Sequence, residues 1–159
     1  MEANSFWLLG QTKFSSSENE TINLAASWAA TWQSPLTIAI SGPLGAGKTR
    51  FVAGIARGLG SSDSVSSPSF ALVHTYQSPK WPIYHLDFYR LSFQDEVWQL
   101  AFEDYLSHAI VLVEWGEKFP HVFPPSSLQI QITPINPSHR QLTLQTLSTS
   151  IPPPSQLLL

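Results

Sequence analysis

With 159 residues, 43% of them hydrophobic and only 12% charged, the chain is long enough to bury a substantial core and too apolar to be disordered. Eight Lys and Arg against eleven Asp and Glu give a net charge of −3, with no basic patch suited to gripping a phosphate backbone unaided. The absence of cysteine excludes disulfides and thiolate metal sites, and with no apolar run of ~18 residues and no secretory leader the expected setting is cytoplasmic, away from membranes.

Residues 1–11 carry no clear pattern and read as a lead-in. Ser15, Ser16 and Ser17, followed by Glu18 and Glu20, are capping chemistry with acids in a first helical turn. The helix is expected over 21–32, where Leu24, Trp28 and Trp32 recur every four residues beside Ala25 and Ala29, and Ser34-Pro35 ends it. Residues 36–40 read as a short buried strand, because β-branched side chains fit a pleated surface. A glycine-rich turn over 42–47 leads into a second helix from Lys48 to about Leu59. It carries Phe51, Val52, Ile55 and Leu59 on one side, with Gly58 or Gly60 as its stop.

Residues 61–68 form a polar loop, 70–76 a strand, 77–82 a turn and 83–88 another strand, and short helices fill 94–107. The apolar run 109–113, closed by Glu114 and Trp115, has the composition of a strand covered on both faces. Past Pro120, Pro124 and Pro125 the pattern changes. Leu128, Ile130 and Ile132, then Leu142, Leu144 and Leu147, alternate in part with polar neighbours, as in two antiparallel edge strands joined through 134–139.

Gly42-Pro43-Leu44-Gly45-Ala46-Gly47-Lys48-Thr49 has the spacing G-x-x-x-x-G-K-[ST]. Glycines let such a loop curl so that successive amides point at phosphate oxygens, and the following helix adds the positive end of its dipole. Lys48 is placed to neutralise β- and γ-phosphates, and the Thr49 hydroxyl to ligate Mg²⁺. The octapeptide alone also occurs in ordinary turns; the strand before it and the amphipathic helix after it decide the matter. The expected fold is therefore α/β and P-loop NTPase-like: a mostly parallel central sheet flanked by helices, with C-terminal antiparallel edge strands. Residues 1–150 are assigned to that one domain, and 151–159, with Pro152 to Pro154, to a flexible tail.

Such a site also needs an acid near the metal. Asp87 and Glu114 both close apolar strands, where ligands of open α/β sheets bind; alternatively, each caps its strand or pairs with Arg90 or Lys118. His85 shares the Asp87 face of its strand and reads as a structural residue or a support for the acids.

These segments together resemble the TsaE family, small ATPases of the bacterial machinery that installs threonylcarbamoyl on the adenosine next to the tRNA anticodon. The resemblance runs through GPLGAGKTRFVAGIARGLG from Gly42, VSSPSFALVHTY from Val65, YHLDFYRL from Tyr84, Glu103 to Leu106, and IVLVEWGEK from Ile110. Pro43, Ser69 and Arg50 depart from the residues usual there, although Ser69 keeps a hydroxyl. The resemblance implies that ATP binds at 42–49, and that Mg²⁺ is held by Thr49 and Glu114 with Asp87 contributing directly or through water. It also implies that Ser69 senses the γ-phosphate and that Arg140 lies near the nucleotide. Trp115 either braces the nucleotide or packs in the core. The implied partners are TsaB and TsaD, with tRNA reached only through them.

Two other classes fit a P-loop. A small metabolite kinase needs several arginines on a lid, and this chain has four, two of them on the loop's own helix. A GTPase-type switch needs a guanine signature N-K-x-D, which does not occur.

Overall fold

Seven strands form one continuous sheet in the computed structural model of the chain, which describes residues 6–147. In chain order the elements are β1 (Thr12–Ser15), α1 (Glu18–Ala29), β2 (Thr37–Ser41), α2 (Lys48–Gly58), β3 (Val73–Tyr76), β4 (Ile83–Asp87), α3 (Gln94–Trp98) and α4 (Phe102–Tyr105). β5 (Ile110–Glu114), two 3-10 turns (Gly116–Lys118 and Pro120–Val122), β6 (Leu128–Pro134) and β7 (Arg140–Thr146) follow.

The strand order is β1-β7-β6-β2-β5-β4-β3. The central four, β6, β2, β5 and β4, run parallel, while β7 is antiparallel to β6, β1 to β7, and β3 to β4. The expected parallel core and C-terminal antiparallel pair are both present. Outside that pair lies β1, which has no counterpart in the sequence reading: four residues with one buried side chain show no periodicity, and β7 supplies their pairing.

Alternation along the parallel strands sends side chains to two cores. Ile38, Ile40, Ile110, Leu112, Ile130 and Ile132 lie with Trp28, Phe51, Val52 and Ile55 of α1 and α2. Ala39, Leu86, Val111 and Val113 lie with Phe88, Val97, Phe102 and Phe123. Phe51 has no exposed surface and meets Trp7 and Trp28 at ring-centroid distances of 6.3 Å each, a burial that stabilises by about 1.5–3 kcal/mol.

α1 begins earlier than its apolar period suggests. Ser17 caps it by accepting from the Glu20 amide at 3.1 Å, and the Glu20 carboxylate reaches back to the amide and hydroxyl of Ser16. Its last turn closes at Ala29, and Trp32 packs edge-on against Trp28 from beyond the helix. Of the two glycines offered as a stop for α2, Gly60 serves. At φ +88° it closes a Schellman pair, its amide on the Arg57 carbonyl and that of Ser61 on Ala56. Gly58 sits inside α2, where an added Cβ would strike the Ala26 backbone of α1. β3 is shorter than expected because Leu72 takes a left-handed φ of +70°, which leaves Phe70 outside the sheet. The tail assigned to 151–159 lies outside the described residues. Among the described residues, no helix is long and apolar enough to cross a membrane.

Candidate functional site

Parallel strands bring their C-terminal ends to one edge, so β2 delivers the glycine loop where β4 and β5 deliver their acids. The register sets Glu114 opposite Ile40 on one side and Asp87 on the other. The loop itself demands glycine at its ends. A Cβ on Gly42 would lie 2.5 Å from the Ile132 carbonyl oxygen, and Gly47, at φ +103°, turns the chain into α2. No side chain caps α2, so its first-turn amides are left for an external acceptor. Beside them is a cavity of about 470 Å³ lined by Gly45, Gly47, Lys48 and Thr49, and opposite these by Ser67, Ser69, Asp87, Glu114 and Trp115.

Lys48 is buried. Its Nζ donates to the carbonyls of Gly42 at 2.7 Å and Pro43 at 2.9 Å, and stands 4.4 Å from the centre of the Trp115 ring. Burial holds its pKa below the ordinary lysine value, against the pull of Glu114, Glu117 and Asp87. Trp115 takes a left-handed backbone, φ +60°, an unfavourable conformation for a side chain of this size, directly after Glu114. Of its two readings the structure combines parts of each: the ring lines the cavity over Lys48 and beside Tyr89, and it also packs partly on the second core.

Glu114, 4% exposed, accepts from the Thr49 hydroxyl at 2.7 Å and lies 2.9 Å from His85 Nε2, both at Oε1. Burial pushes its carboxyl up. The hydrogen bond and imidazole of His85, the Thr49 hydroxyl and the charge of Lys48 outweigh that push, leaving it below the usual carboxylate range. Asp87 accepts from Ser69 Oγ at 2.9 Å and, through its other oxygen, from the Tyr89 amide at 2.8 Å. The capping alternative therefore holds in part for Asp87. Pairing with Arg90 or Lys118 holds for neither acid: Arg90 stacks on Phe70, and Lys118 donates to the Tyr89 and Leu91 carbonyls.

Arg140 reaches the glycine loop from β7, donating to the Ala46 carbonyl at 2.9 Å and that of Gly45 at 3.2 Å. It also lines a second cavity of about 300 Å³, bounded by Ser16, Ser17, Arg50 and Ser138, that shares Gly45 and Gly47 with the first. Pro43 serves through its carbonyl. Leu44 lines the first cavity with its side chain 70% exposed.

His85, read from the sequence as a structural residue or a support for the acids, is fully buried, with Nε2 on Glu114 and Nδ1 3.0 Å from the Tyr76 hydroxyl. Two neighbours of the site, Tyr76 and Glu117, do not stand out in the sequence. Tyr76 had no signal beyond strand periodicity. Glu117, three residues past Glu114, has a buried Oε2 without a partner, and burial holds its pKa above the usual range.

The donors around Thr49 fit a small hard cation, since they are hydroxyl and carboxylate oxygens. Among the described residues, no group of three or more His, Cys, Asp or Glu is placed to hold an ion.

A family model for Threonylcarbamoyl adenosine biosynthesis protein TsaE matches residues 15–142. The chain is 36% identical over 126 residues to the tRNA threonylcarbamoyladenosine biosynthesis protein TsaE of Rickettsia bellii, covering 79% of this chain and 88% of that one. It is 33% identical over 143 residues to the protein of the same name from a Nostoc species, covering 87% of each. Its fold matches the crystal structure of YdiB from Bacillus subtilis with a TM-score of 0.69 and 29% identity, over 87% of this chain and 86% of that one. Matched from the end of β1 into β7, with relatives sharing about a third of its sequence over most of their length, the chain belongs to the TsaE family of threonylcarbamoyl adenosine biosynthesis proteins.

Proposed function

We propose that the chain binds ATP with Mg²⁺ at 42–49 and hydrolyses it slowly, in support of tRNA threonylcarbamoyladenosine modification carried out with TsaB and TsaD in the cytoplasm. The observation that carries this reading is the Thr49–Glu114 hydrogen bond at the uncapped start of α2, beside the buried Lys48. A phosphate chain there meets free amides, an ammonium already turned toward loop carbonyls, and a hydroxyl–carboxylate pair suited to a hard cation. The nucleoside then occupies the second cavity, past Gly45 and Gly47.

Thr49 and Glu114 would hold the ion, with Asp87 contributing directly or through water. When bound, Mg²⁺ screens the β- and γ-phosphate oxygens and withdraws charge from the breaking bond. Lys48 takes up charge on the same oxygens, and Trp115 limits where its ammonium can move. Ser69, bonded to Asp87 on the far wall, is the hydroxyl from the 66–70 loop placed to answer the γ-phosphate. The neighbours of Glu114 favour its carboxylate form, holding its pKa below the usual range despite burial, which suits a ligand for a cation.

A metabolite kinase is disfavoured by the arginines. Arg50 and Arg57 lie on α2 itself and Arg140 holds the loop, so Arg90, which covers Phe70 at the cavity wall, is the one arginine on the opposite side, fewer than a closing lid uses. The test is phosphate release from ATP by the purified chain, with and without Mg²⁺, together with ATP–GTP competition. Slow Mg²⁺-dependent release with ATP preferred is expected; no ATP affinity would remove the reading.

A further inference from the structure

We propose that His85 and Tyr76 are positioning residues of the nucleotide site, holding Glu114 in place and tying it to the loop that carries Ser67 and Ser69. The inference rests on the nucleotide reading above and adds to it a physical link between the two walls of the cavity.

The link is continuous in the structure. Thr49 donates to Glu114 Oε1, and His85 Nε2 lies 2.9 Å from the same oxygen. A carboxylate only accepts, so that nitrogen carries a proton. On the other side of the ring, Nδ1 lies 3.0 Å from the Tyr76 hydroxyl, which lies 3.1 Å from the Ser66 carbonyl; with its one proton the hydroxyl donates either to that carbonyl, accepting from a protonated Nδ1, or to Nδ1 itself. His74 Nδ1 lies 3.1 Å from that carbonyl as well. Ser66 directly precedes Ser67 and is three residues before Ser69, whose hydroxyl donates to Asp87. Both ends of the chain of bonds therefore border one cavity, through Thr49 and Glu114 at one end and Ser67 and Ser69 at the other.

Ordinary core packing does not account for this arrangement. His85 has no exposed surface and Tyr76 has 4%, on the sheet face that carries Ile83, Ile110 and Leu112. Burying an imidazole and a phenol there carries a desolvation cost that aliphatic side chains avoid, unless every polar atom finds a partner. Here the two ring nitrogens and the phenol oxygen lie within hydrogen-bond distance of the acid, of each other and of the loop of one site. The sheet sets the spacing. β3 and β4 place His74 opposite His85, with Tyr76 two residues on, and β4 and β5 place Asp87 opposite Glu114. An ion or phosphate that fixes Thr49 and Glu114 thereby fixes the foot of the 66–70 loop through two rings with little rotational freedom.

Tyr76→Phe tests this by deleting one oxygen while keeping the packed ring. Three quantities are read: ATP affinity, the kcat and KM of hydrolysis, and hydrogen exchange of 61–72 with and without Mg²⁺-ATP. The expected result is a cooperative fold, ATP affinity within about threefold of wild type and KM nearly unchanged, with kcat lower by about three- to tenfold, the effect of one hydrogen bond. ATP-dependent protection of 66–70 should be lost although ATP still binds. His85→Leu, which also frees Glu114, should lose both the protection and a larger part of kcat. Wild-type kcat together with wild-type protection in Tyr76→Phe overturns the positioning role and leaves the nucleotide site standing. A wild-type chain that fails to bind ATP overturns both.

Discussion

The Thr49 hydroxyl donates to Oε1 of Glu114 across 2.7 Å, so the residue that closes the glycine loop and the acid that ends β5 are joined side chain to side chain. Glu114→Ala should therefore impair hydrolysis far more than binding. Loop amides and Lys48 still hold the ground-state phosphates, whereas the carboxylate matters most as charge shifts during transfer. Single-turnover hydrolysis is expected to fall about a hundredfold, with ATP affinity changed by less than about tenfold. Asp87→Ala is the comparison. If Glu114→Ala hydrolyses normally and only Asp87→Ala is inactive, Asp87 is the principal acid.

Lys48→Ala should separate binding from folding. The ammonium sits among loop carbonyls with its pKa lowered by burial, so folding gains little from it and the phosphates gain much. Affinity for ATP should drop by at least about tenfold, the loss expected for a charge-assisted contact, while the circular dichroism spectrum and Tm stay at or above wild-type values. Unchanged ATP affinity in this variant would remove the P-loop assignment.

Most of the site was legible because its chemistry is local. The octapeptide from Gly42 to Thr49 needs its residues at fixed spacing, and Asp87 and Glu114 announce themselves as acids closing apolar strands. What was not legible depends on pairing. β1 exists because β7 offers it an edge, and a histidine within a strand looks the same whether it faces hydrocarbon or a carboxylate. Phe70 misled because aromatic residues favour strands, whereas the turn at Leu72 places it beyond the sheet, 82% exposed. Arg140 was expected near the nucleotide, and the structure puts its guanidinium on the loop's own carbonyls.

Glu117 offers a stability test with a definite sign. Burial holds its carboxyl above the usual range, and its Oε2 has no partner. A carboxylate with a raised folded pKa favours folding only below its unfolded value; that contribution disappears as pH rises through the folded pKa, and at neutral pH the buried charge is a cost. Glu117→Gln should therefore stabilise the chain at pH 7 by about 1 kcal/mol, a few degrees in Tm. The gain should shrink as pH is lowered toward the ordinary glutamate range. A Tm difference independent of pH would place the effect elsewhere than in the charge.

Gly58→Ala tests the contact that sets α2 against α1. A Cβ there meets the backbone of Ala26, which cannot rotate away as a side chain would, so the helices must part. A loss of about 1–3 kcal/mol is expected in denaturant unfolding, although alanine is the better helix former. A stabilised variant would mean the two helices tolerate wider spacing than the structure shows.

The last prediction concerns the assembly: in reconstituted tRNA modification with TsaB and TsaD, Thr49→Ala should stall after early turnover, and the affinity of the complex should depend on nucleotide state. The acidic balance of the chain supports a protein-facing role, as do cations already committed within it: Arg140 and Lys48 to the glycine loop, Arg57 to Asn23, Lys118 to carbonyls. Phe70 and Leu44 stand exposed at the rim of the cavity, so the occupancy of that cavity bears directly on the surface a partner meets. Hydrolysis can reset a complex only if partners bind the two states of the 66–70 loop with different affinity, because equal affinity shifts no population. The measurement is modified adenosine formed per complex over time, alongside complex affinity with ATP, with ADP and without nucleotide. If multi-turnover modification proceeds equally well without this chain, or with a variant unable to hydrolyse ATP, ATP turnover here is not what resets the machinery, even where the nucleotide site itself stands.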